Sequence, residues 1–116
     1  MRNFDISDIL SITTGRLVST RHIEGVYDIL NYMTGDNLFT HALPRASREC
    51  APFLLEQHPQ LSNVDASDVT RENWQAWLSE QRSFYGDELP VKPVPKDAHE
   101  LINPISELAD MVVKAP

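Results

Sequence analysis

The spacing of apolar residues between glycine and proline breakpoints constrains this chain more than any other feature. Ile23, Val26, Tyr27, Leu30 and Met33 recur at i, i+3, i+4, i+7 and i+10, the period of one face of an α-helix. Ser19 or Thr20 stands ahead of the run as an N-cap, and Gly35 follows it as the left-handed residue that ends a helix. Gly25 falls inside the run, where a glycine costs about 1 kcal/mol relative to alanine. Close packing of its backbone against a neighbour is therefore expected.

The same reading extends along the chain. From Asp5 to Thr14, Ile6, Ile9, Leu10 and Thr13 keep helical spacing, with Asp5 or Ser7 as cap and Gly15 as terminator. A third helix opens at Pro44, whose fixed φ suits a first turn, and turns Ala46, Cys50, Phe53 and Leu54 inward. Pro52 falls inside it and either kinks or breaks it, and Pro59 closes it. The polar stretch Ser62 to Thr70 reads as a loop. In the fourth helix Thr70 caps, Val69 and Trp74 form a hydrophobic staple, and Gly86 marks the end. Trp74, Trp77, Leu78, Gln81 and Tyr85 share its face. The prolines of LPVKPVP, residues 89–95, impose an extended arm, packed across its own domain. A last helix follows, capped by Asn103, with Pro104 at its first position and an apolar stripe of Ile105, Leu108, Ala109 and Val112. Strand signal is confined to Leu17-Val18 and Leu38-Phe39, short extended pairs at most. The expected fold is mainly α: a compact bundle of four to six short helices in one domain over 1–116, with a Pro-rich arm before the last helix and at most a minor β-hairpin.

With 116 residues, 41% of them apolar and 23% charged, the chain has the composition of an ordinary soluble domain. No apolar run has the length of a membrane span, and the start MRNFDISDIL lacks the layout of a signal peptide. A lone Cys50 excludes an internal disulfide and suits a reducing compartment, so a cytoplasmic location is expected. The net charge is −7, divided as −2 over residues 1–58 and −5 over 59–116. Such a chain repels phosphate backbones, so direct nucleic-acid binding is not expected, whereas a basic partner surface would attract it.

Catalytic and metal motifs are missing. His22, His41, His58 and His99 are scattered, without the spacing of a metal site, and no nucleophile elbow or phosphate-binding glycine loop occurs. Cys50 lies on an apolar helix face and reads as a small buried hydrophobe. No cofactor or metal is expected, and the chain reads as non-enzymatic. In YMTGDNLFTHALPRASRE, residues 32–49, helix ends and core anchors account for Gly35, Leu38, Phe39 and Pro44. Asp36, Asn37, His41, Arg45 and Arg48 have no such structural duty and are the candidate binding residues. Arg45 and Arg48, one turn apart, suit an anion at a helix start, or else a salt bridge to Glu49 or Asp36. Asp65, Asp68, Asp87 and Glu88 are the candidate acidic surface for a partner.

GVYDILNYMTGDNLFTHALPRA (25–46) and the ending VKPVP with HELINPISEL (91–108) together resemble a family of small tailed-bacteriophage proteins, a domain of unknown function. The resemblance brings no activity and no catalytic residues. It implies a phage-encoded protein working in the cytoplasm of a bacterial host. Small acidic phage proteins of this kind often bind host machinery, including defence complexes such as CRISPR effectors. The preferred reading is a phage accessory protein that binds and inhibits a host protein through its acidic second half. One alternative is a ligand-binding module or enzyme with its site at the 35–48 loop. The other is a structural subunit, dimerising through the Trp74/Trp77 face.

Overall fold

The computed structural model describes residues 1–99 together with Ile105, Leu108 and Ala109. Its described elements are strand β1 (Arg2–Asp5), helices α1 (Ile6–Thr14), α2 (Ile23–Thr34), α3 (Leu43–Gln57) and α4 (Trp74–Tyr85), and strand β2 (Glu88–Val91). Short 3₁₀ turns cover Thr40–Ala42, Pro59–Asn63 and Lys96–Ala98. The mainly α expectation holds.

Helix α1 is the central element. Asp5 caps it by accepting from the Ser7 N–H at 3.0 Å, and Gly15, at φ 74°, ends it. Ile6 through Ile12 are all buried, with α2 and α3 packed against them and α4 nearby. Burial on all sides explains why three polar residues, Ser7, Asp8 and Ser11, are enclosed in the core, where each must find a hydrogen-bond partner. Ser11 donates to the Ser7 carbonyl and accepts from the Val18 N–H, at 2.8 and 3.0 Å.

Helix α2 begins later than its sequence suggests. Its N-cap is His22, because residues 19–22 close a turn through His22 N–H and the Ser19 carbonyl, 3.0 Å. The Ser19 hydroxyl is engaged elsewhere, on Asp8. Ile23 lies in the exposed first turn, and the buried face is Gly25, Val26, Ile29, Leu30 and Met33. Gly35, at φ 69°, ends the helix as expected.

Pro52 does not break α3, which is continuous from Leu43 to Gln57. Ala46, Cys50 and Leu54 are fully enclosed on its inner side, while Pro52 is exposed. The Arg48 carbonyl that loses an N–H partner to proline therefore sits on the wet side. Helix α4 starts at Trp74 with Asn73 as its N-cap. Thr70 closes the turn before it: its N–H donates to Asn73 Oδ1 at 2.6 Å, and Asn73 N–H donates to Thr70 Oγ1 at 3.2 Å. Trp74 and Trp77 are half-buried against the core.

The sheet corrects one expectation. Neither Leu17-Val18 nor Leu38-Phe39 forms a strand; β1 pairs antiparallel with β2, Arg2 opposite Val91 and Asp5 opposite Glu88. Two four-residue strands from distant parts of the chain carry too few alternations to announce themselves in sequence. The proline arm continues past β2 and is fastened to the body. Tyr32 donates to the Val91 carbonyl at 2.9 Å, Val94 N–H to the Met33 carbonyl at 3.0 Å, and Gln57 exchanges two hydrogen bonds with the Lys92 backbone. The expected cap at Asn103 and Val112 of the last stripe lie outside the described residues. Ile105, Leu108 and Ala109 are helical and exposed.

Candidate functional site

The candidate loop residues separate into two groups. Asp36 follows the Gly35 turn, and Arg45 projects from the first turns of α3. His99, at the end of the arm, joins them. Its Nε2 lies 3.0 Å from Asp36 Oδ2, and its Nδ1 lies 2.5 Å from Glu49 Oε1. Arg45 Nη1 lies 3.1 Å from the other Glu49 oxygen. The His99 side chain is only 3% exposed. Burial alone would lower its pKa, but the hydrogen bonds to Asp36 and then Glu49 outweigh that and hold it above the ordinary value. His99 in turn lowers the pKa of Asp36. An imidazolium with an N–H on each side matches the two acceptors. The group is a clasp that ties residue 99 to α3 and to the loop after α2.

Asn37 donates its backbone N–H to Asp36 Oδ1 at 2.7 Å, which shapes the turn. His41 packs edge-on to Phe39 at 5.9 Å. Arg48 does not join the clasp. It lines a cleft of about 550 Å³ on another side of α3, with Ile12, Leu17, Ile23, Val26 and Leu43. The structure therefore does not place Arg45 and Arg48 around one anion. His99 was missed in sequence because it is 50 residues from Glu49 and 63 from Asp36, and no spacing rule connects them.

A second polar cluster holds α1 to α2. Asp8, buried, accepts from Ser19 Oγ and from Arg21 Nη2, both at 2.5 Å. Arg21 also reaches Asp28 at 3.0 Å, and Arg2 grips Asp28 with both guanidinium nitrogens, at 2.9 and 2.7 Å. Arg82 of α4 makes an equivalent two-point contact with Asp5, 2.9 Å each. Desolvation opposes it, but Arg82 and Ser7 together lower the Asp5 pKa. Cys50 is enclosed, and burial, with Glu49 adding, pushes its thiol up to about 12, which suppresses thiolate chemistry. Among the described residues no group of His, Cys, Asp or Glu is arranged to hold a metal ion.

The acidic candidates lie around α4. Asp65 and Asp68 stand in the loop before it, and Asp87 and Glu88 just after it, all exposed. The helix separating them is 12 residues long, about 18 Å. Glu72 and Glu80, also exposed, lie between the two ends. These six exposed acids, the acidic ridge, lie on α4 or flank it in the chain. Of the two arginines in that stretch, Arg71 is exposed, whereas Arg82 turns inward onto Asp5 and reaches only Asp87 on the ridge, at 3.6 Å.

These features define a small helical protein held in part by ion-pair clasps, with exposed acids on and around α4. Residues 4–64, more than half of the chain, match the family described as Domain of unknown function (DUF7736), and the chain belongs to that family. The match takes in 25–46 but not 91–108, and it ends one residue before the first acid of the ridge. No curated protein and no solved structure matches the chain. Among the described residues no helix is long and apolar enough to cross a membrane.

Proposed function

We propose that this is a non-enzymatic accessory protein of a tailed bacteriophage that binds and inhibits a host protein in the bacterial cytoplasm. The observation that carries this reading is the acidic ridge along α4. Six exposed carboxylates fall within residues 65–88, on α4 or flanking it, and the inward turn of Arg82 leaves Arg71 as the exposed arginine among them. A surface of this kind complements a basic one, and it raises the encounter rate with such a partner. Proteins that bind nucleic acid present basic surfaces, so the partner class is a nucleic-acid-binding host complex, with a defence effector as the specific proposal. The phage origin rests on the likeness of residues 25–46 and 91–108 to small phage proteins.

The test is infection of a host that carries an active nucleic-acid-targeting defence. Expression of the wild-type chain should raise the plating efficiency of the targeted phage. A variant with Asp65, Asp68, Asp87 and Glu88 reversed to lysine, and with unchanged melting, should not. Equal protection by both chains, or protection by neither, contradicts the proposal.

A further inference from the structure

Four of the seven arginines, Arg2, Arg21, Arg45 and Arg82, are held by carboxylates. The remaining three, Arg16, Arg48 and Arg71, have no carboxylate within ion-pair distance among the described residues. In a chain of net charge −7 that is unexpected, because carboxylates outnumber their counterparts. Arg16 and Arg71 line the same cleft, of about 580 Å³, between the α1–α2 connection and the start of α4. Arg48 stands at the neighbouring cleft, and Leu17 is a wall common to both. Arg16 makes one long contact, Nη2 to the Ser67 carbonyl at 3.4 Å, which leaves most of its fork available.

Three further features converge on this cleft. Trp74 contributes a half-buried indole to its wall. His22 lines it too, its ring edge-on to Trp74 at 6.4 Å. His22 also has positive φ, 56°, the one non-glycine residue to do so among the described residues, and as N-cap of α2 it makes no side-chain cap hydrogen bond. Backbone strain at a non-glycine residue persists where the surroundings impose it, and such positions cluster at functional sites. The volume falls within the range of small-ligand pockets.

We propose that this cleft binds a nucleoside monophosphate or a closely similar aromatic phosphate. Arg16 and Arg71 take the phosphate, and Trp74 supplies the stacking face for the base. The cleft adjoins the acidic stretch, since Arg71 stands between Asp68 and Glu72 in the chain, but the proposed contacts use none of its carboxylates.

The experiment titrates the full chain with the four ribonucleoside monophosphates, inorganic phosphate and adenosine, by calorimetry and by tryptophan fluorescence. At least one nucleotide should bind saturably, about tenfold or more tighter than phosphate or adenosine alone. Arg16→Ala and Arg71→Ala should each weaken it by about tenfold, the worth of one charge-assisted hydrogen bond. Both side chains are exposed, so an unchanged melting curve will confirm that the variants are folded. Absence of saturable nucleotide binding at millimolar concentration, phosphate binding as tight as nucleotide, or affinity unchanged in the double variant would each overturn the assignment.

Discussion

Replacing Gly25 with alanine sets two effects of opposite sign against each other. In an exposed helix the change would stabilise by about 1 kcal/mol. Here Gly25 is buried, and an added Cβ would overlap Asp8 Oδ1 and Ser19 Oγ and stand 3.0 Å from Asp8 Cγ. Asp8 cannot retreat freely, because Arg21 holds its other oxygen at 2.5 Å and the core encloses it. Overpacking of this kind costs about 1–3 kcal/mol. Displacing Asp8 from Ser19 or Arg21 loses a charge-assisted hydrogen bond, roughly 1.5–3 kcal/mol more. The helix-propensity gain offsets part of this, for a net loss of about 2–4 kcal/mol. For a chain of this size the melting temperature should fall by roughly 8–15 °C, read by circular dichroism in heat and urea. In a Ser19→Ala background, where one of the overlapping atoms is gone, Gly25→Ala should cost less than in the wild type. A melting temperature unchanged or raised, or strictly additive costs, would refute the close approach of α2 to Asp8.

The clasp at His99 makes a pH prediction. Its folded pKa is raised, so its contribution is complete below the unfolded value of about 6.5 and is lost as pH rises through the folded value. Asp36, with a lowered pKa, adds the opposite limb: its contribution is present above the ordinary value of about 3.9 and is lost as pH falls through the folded value. Urea unfolding across pH should therefore lose stability on the alkaline side, and His99→Gln should flatten that limb. An NMR titration placing His99 at or below 6.5 would contradict the double contact. His22→Gly should stabilise by about 1 kcal/mol in urea unfolding, since glycine adopts positive φ without strain. A loss would mean that the ring contact with Trp74 outweighs the strain.

Much of the fold was legible because helix signals are local. Gly15, Gly35 and Gly86 end three helices where the sequence places their ends, and the stripe Ala46, Cys50, Leu54 is buried as its spacing requires. Helix starts were less legible. Ser19 and Thr70 are good caps by type, but tertiary contacts recruit the first to Asp8 and a local exchange places the second in the turn before α4. The β1–β2 pairing and the His99 clasp join distant residues, and no periodicity encodes such contacts. The presence of Gly25, by contrast, was readable as a need for close packing; only its neighbours, Asp8 and Ser19, required the structure. Of the candidate loop, Asp36 and Arg45 meet through His99 and Glu49, whereas Arg48 faces a different cleft. The acidic ridge was legible as charge but not as a surface, because the inward turn of Arg82 is a tertiary fact.

The most direct test of partner binding through the ridge is quantitative affinity capture from host lysate. It compares the wild-type chain with a variant in which Asp68, Glu72 and Glu80 are reversed to lysine, at low and high salt. The account predicts a basic, nucleic-acid-binding host protein that is retained by the wild type, released as salt rises, and lost from the variant while the variant melts normally. The same proteins retained by both chains, with no dependence on salt, would contradict it.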